Sequence, residues 1–252
     1  MSKWFIRPCK VDIGNMCRKM GINVPLALAL QAKGLNTPKK VKDYFNTENY
    51  SFGDITELIG VKRSFEIIEK AINENKKIFI YGDYDVDGVT STVILYKSLK
   101  ALGANVFYYI PNRVTDGYGL NVNAIERLIG KGMELLITCD NGIAAIEEIK
   151  YAKEKGIDVV IYDHHEPVIK DDKEILPEAD SVTDAKIENC GYDFTVMCAG
   201  GLCYRVMKAF YEYLGQKYTL EKEMIIFAGI ATVCDLSLIH ISEPTRQAES
   251  RM

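Results

Sequence analysis

KIFIYGDYDVDGVTSTVILYKSLKALG, residues 77–103, contains the pattern on which the rest of the chain is built. Ile78, Phe79, Ile80 and Tyr81 run without a polar break, which suits a strand buried on both faces. Gly82 ends the run, and three aspartates then alternate at Asp83, Asp85 and Asp87. From Gly88 to Gly103 the residues take a helical pattern. A strand, a short loop and a helix in that order are the first half of a βαβ unit.

Downstream the same alternation recurs. ANVFYYI (104–110) predicts a strand and VNAIERLIGKG (122–132) a helix. MELLITC (133–139), IAAIEEIKYAKEKG (143–156) and IDVVIY (157–162) predict a strand, a helix and a strand. The fold class expected is α/β, a parallel sheet flanked by helices in a Rossmann-like arrangement. After residue 163 comes a polar stretch without a predicted element, then helices over 200–215 and 220–236. Upstream, residues 1–75 read as a short helical lead-in that packs on the sheet domain. Within it, 24–35 predicts a buried helix ended by Gly34, and 37–45 a helix capped by Thr37 with Pro38 at its first position. Residues 61–77 place Phe65, Ile68 and Ile72 at helical spacing. The expected organisation is a lead-in (1–75), an α/β domain (76–236) and a tail (237–252). That tail, SLIHISEPTRQAESRM, breaks off an apolar helix abruptly and resembles translated sequencing-adapter sequence. It reads as non-native, the alternative being a real polar tail, and His240 is given no role under either reading.

The 252 residues are 48% apolar and 26% charged, the composition of a soluble globular protein with a sizeable core. The chain has no apolar run long enough to span a membrane, and MSKWFIRPCK has no apolar signal region. The seven cysteines, at 9, 17, 139, 190, 198, 203 and 234, form no C-x-x-C pair. A zinc knuckle and a disulfide framework are therefore disfavoured, and free thiols in a reducing cytoplasm are expected. A net charge of −4 argues mildly against a protein that coats nucleic acid, while a local basic groove or a metal site stays compatible with it.

Three acidic clusters carry the chemistry. Asp83, Asp85 and Asp87 alone would read as a solvated turn. An EF-hand is excluded because Ile94 stands where its closing glutamate belongs. Thr138-Cys139-Asp140-Asn141-Gly142 alone would read as a turn, and Asp163-His164-His165-Glu166 holds two of the three histidines in the chain. Each cluster directly follows a predicted strand. In an open parallel sheet the carboxyl ends of the strands share one edge, where ligands bind. Asp83, Asp85, Asp87, Asp140, Asp163 and His164 should therefore converge. Carboxylates brought together cannot all stay ionised without compensation, and divalent cations supply it. Carboxylate and imidazole donors suit Mn²⁺ or Mg²⁺, and two such ions about 3.5–4 Å apart clamp in-line displacement at phosphorus. A nicotinamide dehydrogenase is discarded, since no G-x-G-x-x-G follows the first strand.

GDYDVDG (82–88), IPNR (110–113) with DGYG (116–119), TCDNG (138–142) and DHH (163–165) resemble, in order and spacing, the successive motifs of the DHH phosphoesterase superfamily. Within it they are most similar to the single-strand-specific DNA exonucleases, over residues 3–236. The resemblance implies a two-metal phosphodiesterase acting from the 5′ end of single-stranded DNA in repair and recombination. It implies Asp85, Asp87, Asp140, His164 and Asp235 as ligands of two divalent cations, Mn²⁺ before Mg²⁺, with Asp140 bridging. It further implies Asp83 as a ligand or a support for the loop, Asp163 as the group that orients the histidines, and His165 on the scissile phosphate. Asn112, Arg113, Gly117, Tyr118 and Gly119 match a substrate-side loop. Cys198-Ala199-Gly200-Gly201 matches a small-residue turn that permits close packing and has no chemical role. Members of that branch continue into a second catalytic domain and an OB-type domain. This chain therefore reads as a fragment that would bind DNA poorly and cleave it weakly or not at all. Its partners would be single-stranded DNA, its missing carboxy-terminal domains, and repair or replication proteins. Two rivals are a DHH-family oligoribonuclease or cyclic-dinucleotide phosphodiesterase, and a non-catalytic DHH-fold scaffold. The Tyr84-containing motif and the DGYG loop disfavour the first, and the full set of carboxylates and histidines disfavours the second.

Overall fold

The computed structural model describes residues 12–46, 52–112 and 119–236. The chain divides into two compact units, Met1–Phe52 and Gly53–Met252. The first contains helices α1 (Ile13–Met20), α2 (Val24–Ala32) and α3 (Pro38–Phe45). Each begins on a side chain that accepts a first-turn backbone N–H: Asp12 from Asn15, Asn23 from Leu26 and Thr37 from Lys40. Such caps satisfy donors that a helix start leaves open and contribute about 1 kcal/mol each. Thr37 and Pro38 start α3 as the sequence predicts, and the chain leaves α2 through Gly34 at a φ of +77°. The expectation that α2 is buried is corrected. Ala27 and Leu30 pack with Met16 and Val41, but Val24, Leu26 and Leu28 are exposed. So few short helices can cover one stripe of an apolar helix and not its whole circumference.

Helix α4 (Val61–Asn73) belongs to the second unit, although the sequence grouped it with the lead-in. Its Phe65 and Ile68 join the core beneath the sheet, and its Ser64 Oγ accepts a 2.7 Å hydrogen bond from the buried Tyr162 hydroxyl. The change of pattern at Lys77 marks where strands begin, which is not where the compact unit begins. The strands are β1 (Ile78–Tyr81), β2 (Val106–Tyr109), β3 (Leu135–Cys139), β4 (Asp158–Tyr162), β5 (Val168–Lys170), β6 (Lys173–Ile175) and β7 (Ser181–Thr183). Five of them form a parallel sheet in the order β2-β1-β3-β4-β7. The helices between them are α5 (Val86–Ala101), α6 (Val122–Gly130) and α7 (Ile146–Glu154); α8 (Ala199–Tyr213) and α9 (Glu221–Leu236) follow. Side chains alternate between two cores. Ile78, Ile80, Ile137 and Val160 pack with α4, α5 and α8, whereas Phe79, Tyr81, Leu136 and Ile161 pack with α6 and α7. Both faces are covered, as the unbroken apolar runs predict. Each such fully buried side chain contributes about 1.5–3 kcal/mol.

Helix α5 packs against both α8 and α9, yet its sequence is rich in Thr and Ser. Thr90, Ser91 and Thr92 are buried, and each hydroxyl donates to the carbonyl four residues earlier, at 2.7, 2.6 and 2.8 Å. Polar groups satisfied by their own helix can be buried at low cost. The polar stretch after residue 163 holds more order than the sequence predicts. β5 and β6 form an antiparallel hairpin whose turn residues, Asp171 and Asp172, have φ of +52° and +57°. That is the backbone a two-residue hairpin requires, and Asp tolerates it. β7 has only three residues, too few for a period to register. It pairs with β4, and its Ser181 Oγ donates to the carbonyl of Gly60 at 2.8 Å. A Cβ at Gly60 would lie 2.1 Å from the Val182 carbonyl oxygen, so only glycine fits. Among the described residues no helix is long and apolar enough to cross a membrane. Residues 237–252 lie outside the described residues.

Candidate metal centre

Because the five strands run parallel, their carboxyl ends share one rim, and the acidic clusters leave the sheet there. The first leaves β1. A Cβ on Gly82 would fall 2.0 Å from Thr92 Oγ1, and one on Gly88 would fall 2.6 Å from the Asp83 backbone. Both glycines let the loop fold tightly back on itself. Helix α5 begins at Val86, two residues before the sequence places it, because Asp85 caps it: Oδ1 accepts the Gly88 N–H at 2.9 Å. Asp87 then sits in the first turn, where the helix dipole favours an acid. Local propensity thus explains where two of the three aspartates stand.

Asp87 is buried and gripped by a second helix. The N–H groups of Ala199 and Gly200, in the first turn of α8, donate to its Oδ2 and Oδ1 at 2.8 and 2.7 Å. Sequence reasoning missed these partners and gave the 198–201 segment no chemical role; that reading is corrected, since its backbone positions a site carboxylate. A run of small residues opening a helix was the available signal. Asp140 follows β3 in a left-handed conformation, φ +62°, and is buried. From the end of β4, His164 reaches into the same space. Its Nε2 lies 3.0 Å from Asp140 Oδ1, 3.4 Å from Asp87 Oδ2 and 3.8 Å from Asp235 Oδ2 on α9.

The predicted residues converge as two neighbouring triads. Ligand-capable atoms of Asp83, Asp85 and Asp140 lie within 4.8 Å of one another, and so do those of Asp87, His164 and Asp235. The 3.0 Å approach of Asp140 to His164 joins the two. Asp140, His164 and His165 also satisfy that limit. Asp163 stands behind the centre, fully buried. Its carboxylate accepts the backbone N–H groups of Ile143, His164 and His165 and lies 2.7 Å from His165 Nδ1. Of the residues expected to form a substrate-side loop, Asn112 is exposed and the carbonyl of Gly119 accepts the Tyr81 hydroxyl at 3.1 Å. Arg113, Gly117 and Tyr118 lie outside the described residues.

The electrostatics reflect crowded acids. Burial pushes Asp83 up to about 6, with the Asp85 charge adding. Burial also pushes Asp87 up to about 6, against the two N–H groups from α8. Asp140 is driven well above the carboxylate range by burial and by Asp87 and Asp85. For Asp163, burial raises the carboxyl, but His165 and the backbone donors outweigh it and leave it lowered. Burial and the neighbouring His165 lower His164, favouring the neutral ring that a metal requires. Burial would lower His165 as well, yet the hydrogen bond and charge of Asp163 raise it overall. Among the described residues, no lysine or arginine pairs with Asp83, Asp85, Asp87, Asp140 or Asp235. Burial holds the nearby Cys139 and Cys203 as thiols. The donor set is therefore carboxylate oxygen and neutral imidazole, unpaired with any lysine or arginine among the described residues, and it fits a hard or borderline divalent ion.

Sequence reading also missed Asp184, because it missed β7. This carboxyl is fully buried at the end of that strand; its Oδ1 accepts the Lys186 N–H at 2.8 Å, and its Oδ2 has no hydrogen-bond partner among the described residues. Burial pushes it up to about 8.

A parallel sheet that gathers aspartates and a DHH triplet at one rim places the protein in a family: residues 77–232 match the DHH family, N-terminal domain, and the chain belongs to it. It is similar to the single-stranded-DNA-specific exonuclease RecJ of Bacillus subtilis strain 168, 36% identical over 239 residues. That match covers 94% of this chain and 29% of the RecJ protein, so the chain spans less than a third of the length of this relative. Among solved structures, exonuclease RecJ bound to manganese matches with a TM-score of 0.63 at 30% identity, covering 71% of this chain and 44% of that one. RecJ in complex with Mn²⁺ from Thermus thermophilus has the same fold, with a TM-score of 0.64 at 24% identity, covering 89% and 30%.

Proposed function

We propose that this chain carries the metal centre of a RecJ-like phosphodiesterase, which removes nucleotides from the 5′ end of single-stranded DNA using two divalent cations, Mn²⁺ by preference. The observation that carries this reading is the pair of triads joined at Asp140. Asp83, Asp85 and Asp140 would hold one ion, and Asp87, His164 and Asp235 the other, with Asp140 between them. When bound, such cations acidify a coordinated water and neutralise charge on phosphoryl oxygens. The protein's own part is positioning. Asp163 fixes the His165 ring through Nδ1, which leaves Nε2 to donate to an oxygen of the scissile phosphate. The raised pKa of His165 keeps that donor protonated further into the neutral range. Helix α8 holds Asp87 through two backbone N–H groups, so that carboxylate presents its remaining lone pairs inward.

Calorimetric titration with Mn²⁺ tests this reading. Two ions per chain are expected, with magnesium binding more weakly at the same places. A chain that binds neither ion refutes the assignment. Release of nucleoside 5′-monophosphates is then compared on single-stranded DNA, short RNA and cyclic dinucleotides. Preference for DNA supports the exonuclease; preference for either of the others transfers the centre to a different substrate class.

A further inference from the structure

We propose that Gly200 is a positioning residue for this centre: its missing side chain lets α9 approach α8 and α5 closely enough to bring Asp235 to His164 and Asp87. This rests on the reading of Asp87, His164 and Asp235 as one ligand triad. Gly200 meets two elements of the centre at once. Its N–H donates to Asp87 Oδ1 at 2.7 Å, and a Cβ built on it would lie 2.5 Å from the Cβ of Ala231 on α9. The same Cβ would lie 3.2 Å from Asp87 Oδ1 and 3.3 Å from Thr90 Oγ1. Carbon atoms rest about 3.5–4.0 Å apart, so the methyl demands a shift of order 1 Å. Ala231 is fully buried, and its Cβ is not the end of a flexible side chain. A helix has to move.

Where the movement goes follows from how α9 is held. Near its start, Glu221 binds Lys208 and Tyr204 of α8 at 2.7 and 3.3 Å, and Glu223 pairs with Lys97 of α5. A wedge at Ala231 therefore levers the far end of the helix outward. Asp235 is four residues further on and lies on the same face as Ala231. Its Oδ2 is 3.8 Å from His164 Nε2, a separation that tolerates little widening if both are to reach one ion. Were α8 to move instead, Ala199 and Gly200 would release Asp87. Either displacement opens the same triad and leaves Asp83, Asp85 and Asp140 untouched.

Gly200→Ala is expected to weaken one of the two Mn²⁺ sites by about tenfold to a hundredfold, the usual cost of losing support behind a metal ligand. Circular dichroism of the metal-free chain should stay that of the wild type. Gly200→Ala combined with Ala231→Gly restores the gap; Mn²⁺ affinity should return while the melting temperature falls further, because glycine weakens a helix interior. A purely structural role predicts that affinity and melting temperature move together. Gly229→Ala, on the same helix with no atom within 4 Å of its added carbon, serves as the control and should leave Mn²⁺ binding unchanged. If Gly200→Ala does not fold, Ala231→Val drives the same wedge from the other helix, with the same expected loss. Wild-type affinity in a folded Gly200→Ala or Ala231→Val variant, or a double variant as weak as Gly200→Ala alone, overturns the proposal while leaving the metal centre standing. A wild-type chain that binds no Mn²⁺ overturns both.

Discussion

The two triads are built in different ways. Asp83, Asp85 and Asp140 sit on the ends of the adjacent strands β1 and β3, fixed by ladder register, a helix cap and a left-handed turn. Asp87, His164 and Asp235 come from three elements that no shared strand register brings together: the start of α5, the end of β4 and the end of α9. The first is local geometry repeated along one edge of a sheet. The second exists only while α8 and α9 close over α5. The strand ends and the cap that follows β1 thus gather one triad of acids, and the triad beside it needs helices as walls.

The largest effect should come from Asp140, the member of the first triad that also contacts the second through His164. Asp140→Ala should abolish Mn²⁺ binding at either triad, measured by calorimetry, and a variant that still binds two ions would break the distinction. Asp235→Asn and Asp85→Asn should each remove one ion of two. With Asp235→Asn the surviving ion should become insensitive to Gly200→Ala, and with Asp85→Asn it should not. Asp163→Asn should leave stoichiometry intact and act on His165. The wild-type His165 pKa is raised, so its stabilising contribution is full below the unfolded value of about 6.5 and is lost as pH rises through the higher folded value. Without the Asp163 charge, burial dominates, and NMR titration of the imidazole should show its pKa falling below the ordinary value. The smallest effect concerns Asp184, outside both triads. Folded, it keeps its proton to about pH 8; unfolded, to about 4. Stability should therefore decline as pH rises across that window. Asp184→Asn should remove the slope and raise stability at pH 8, where the unfolded aspartate is ionised and the buried one resists ionisation, with little change at pH 4. Thermal melts at both pH values check it.

The same contrast explains what could be read in the sequence. The unbroken apolar runs at 78–81 and 135–139, each followed at once by acids, made the parallel sheet and its reactive edge legible. Asp85 and Asp87 were legible as candidate ligands but not as cap and first-turn residue, because a cap is recognised only once the helix start is known. Asp235 entered the ligand set through family resemblance, since an acid at the end of an apolar helix does not by itself show what it faces. The backbone grip on Asp87 was invisible, since N–H groups carry no sequence signature beyond the small residues that let them approach. β7 escaped because three residues cannot display a period, and Asp184 was missed along with it. α2 misled in the opposite direction, since apolarity all round a helix says what it could bury and not what is there to bury it.

The parallel order β2-β1-β3-β4-β7 also bears on kinetics. Every neighbouring pair is joined through a crossover, so strand pairing must await the closure of long loops. Because the candidate ligands span positions 83 to 235, the proposed centre is complete only when the last helix has docked. A cation that recognises the finished cage cannot template the early steps. Added Mn²⁺ should therefore retard unfolding and leave the refolding rate almost unchanged.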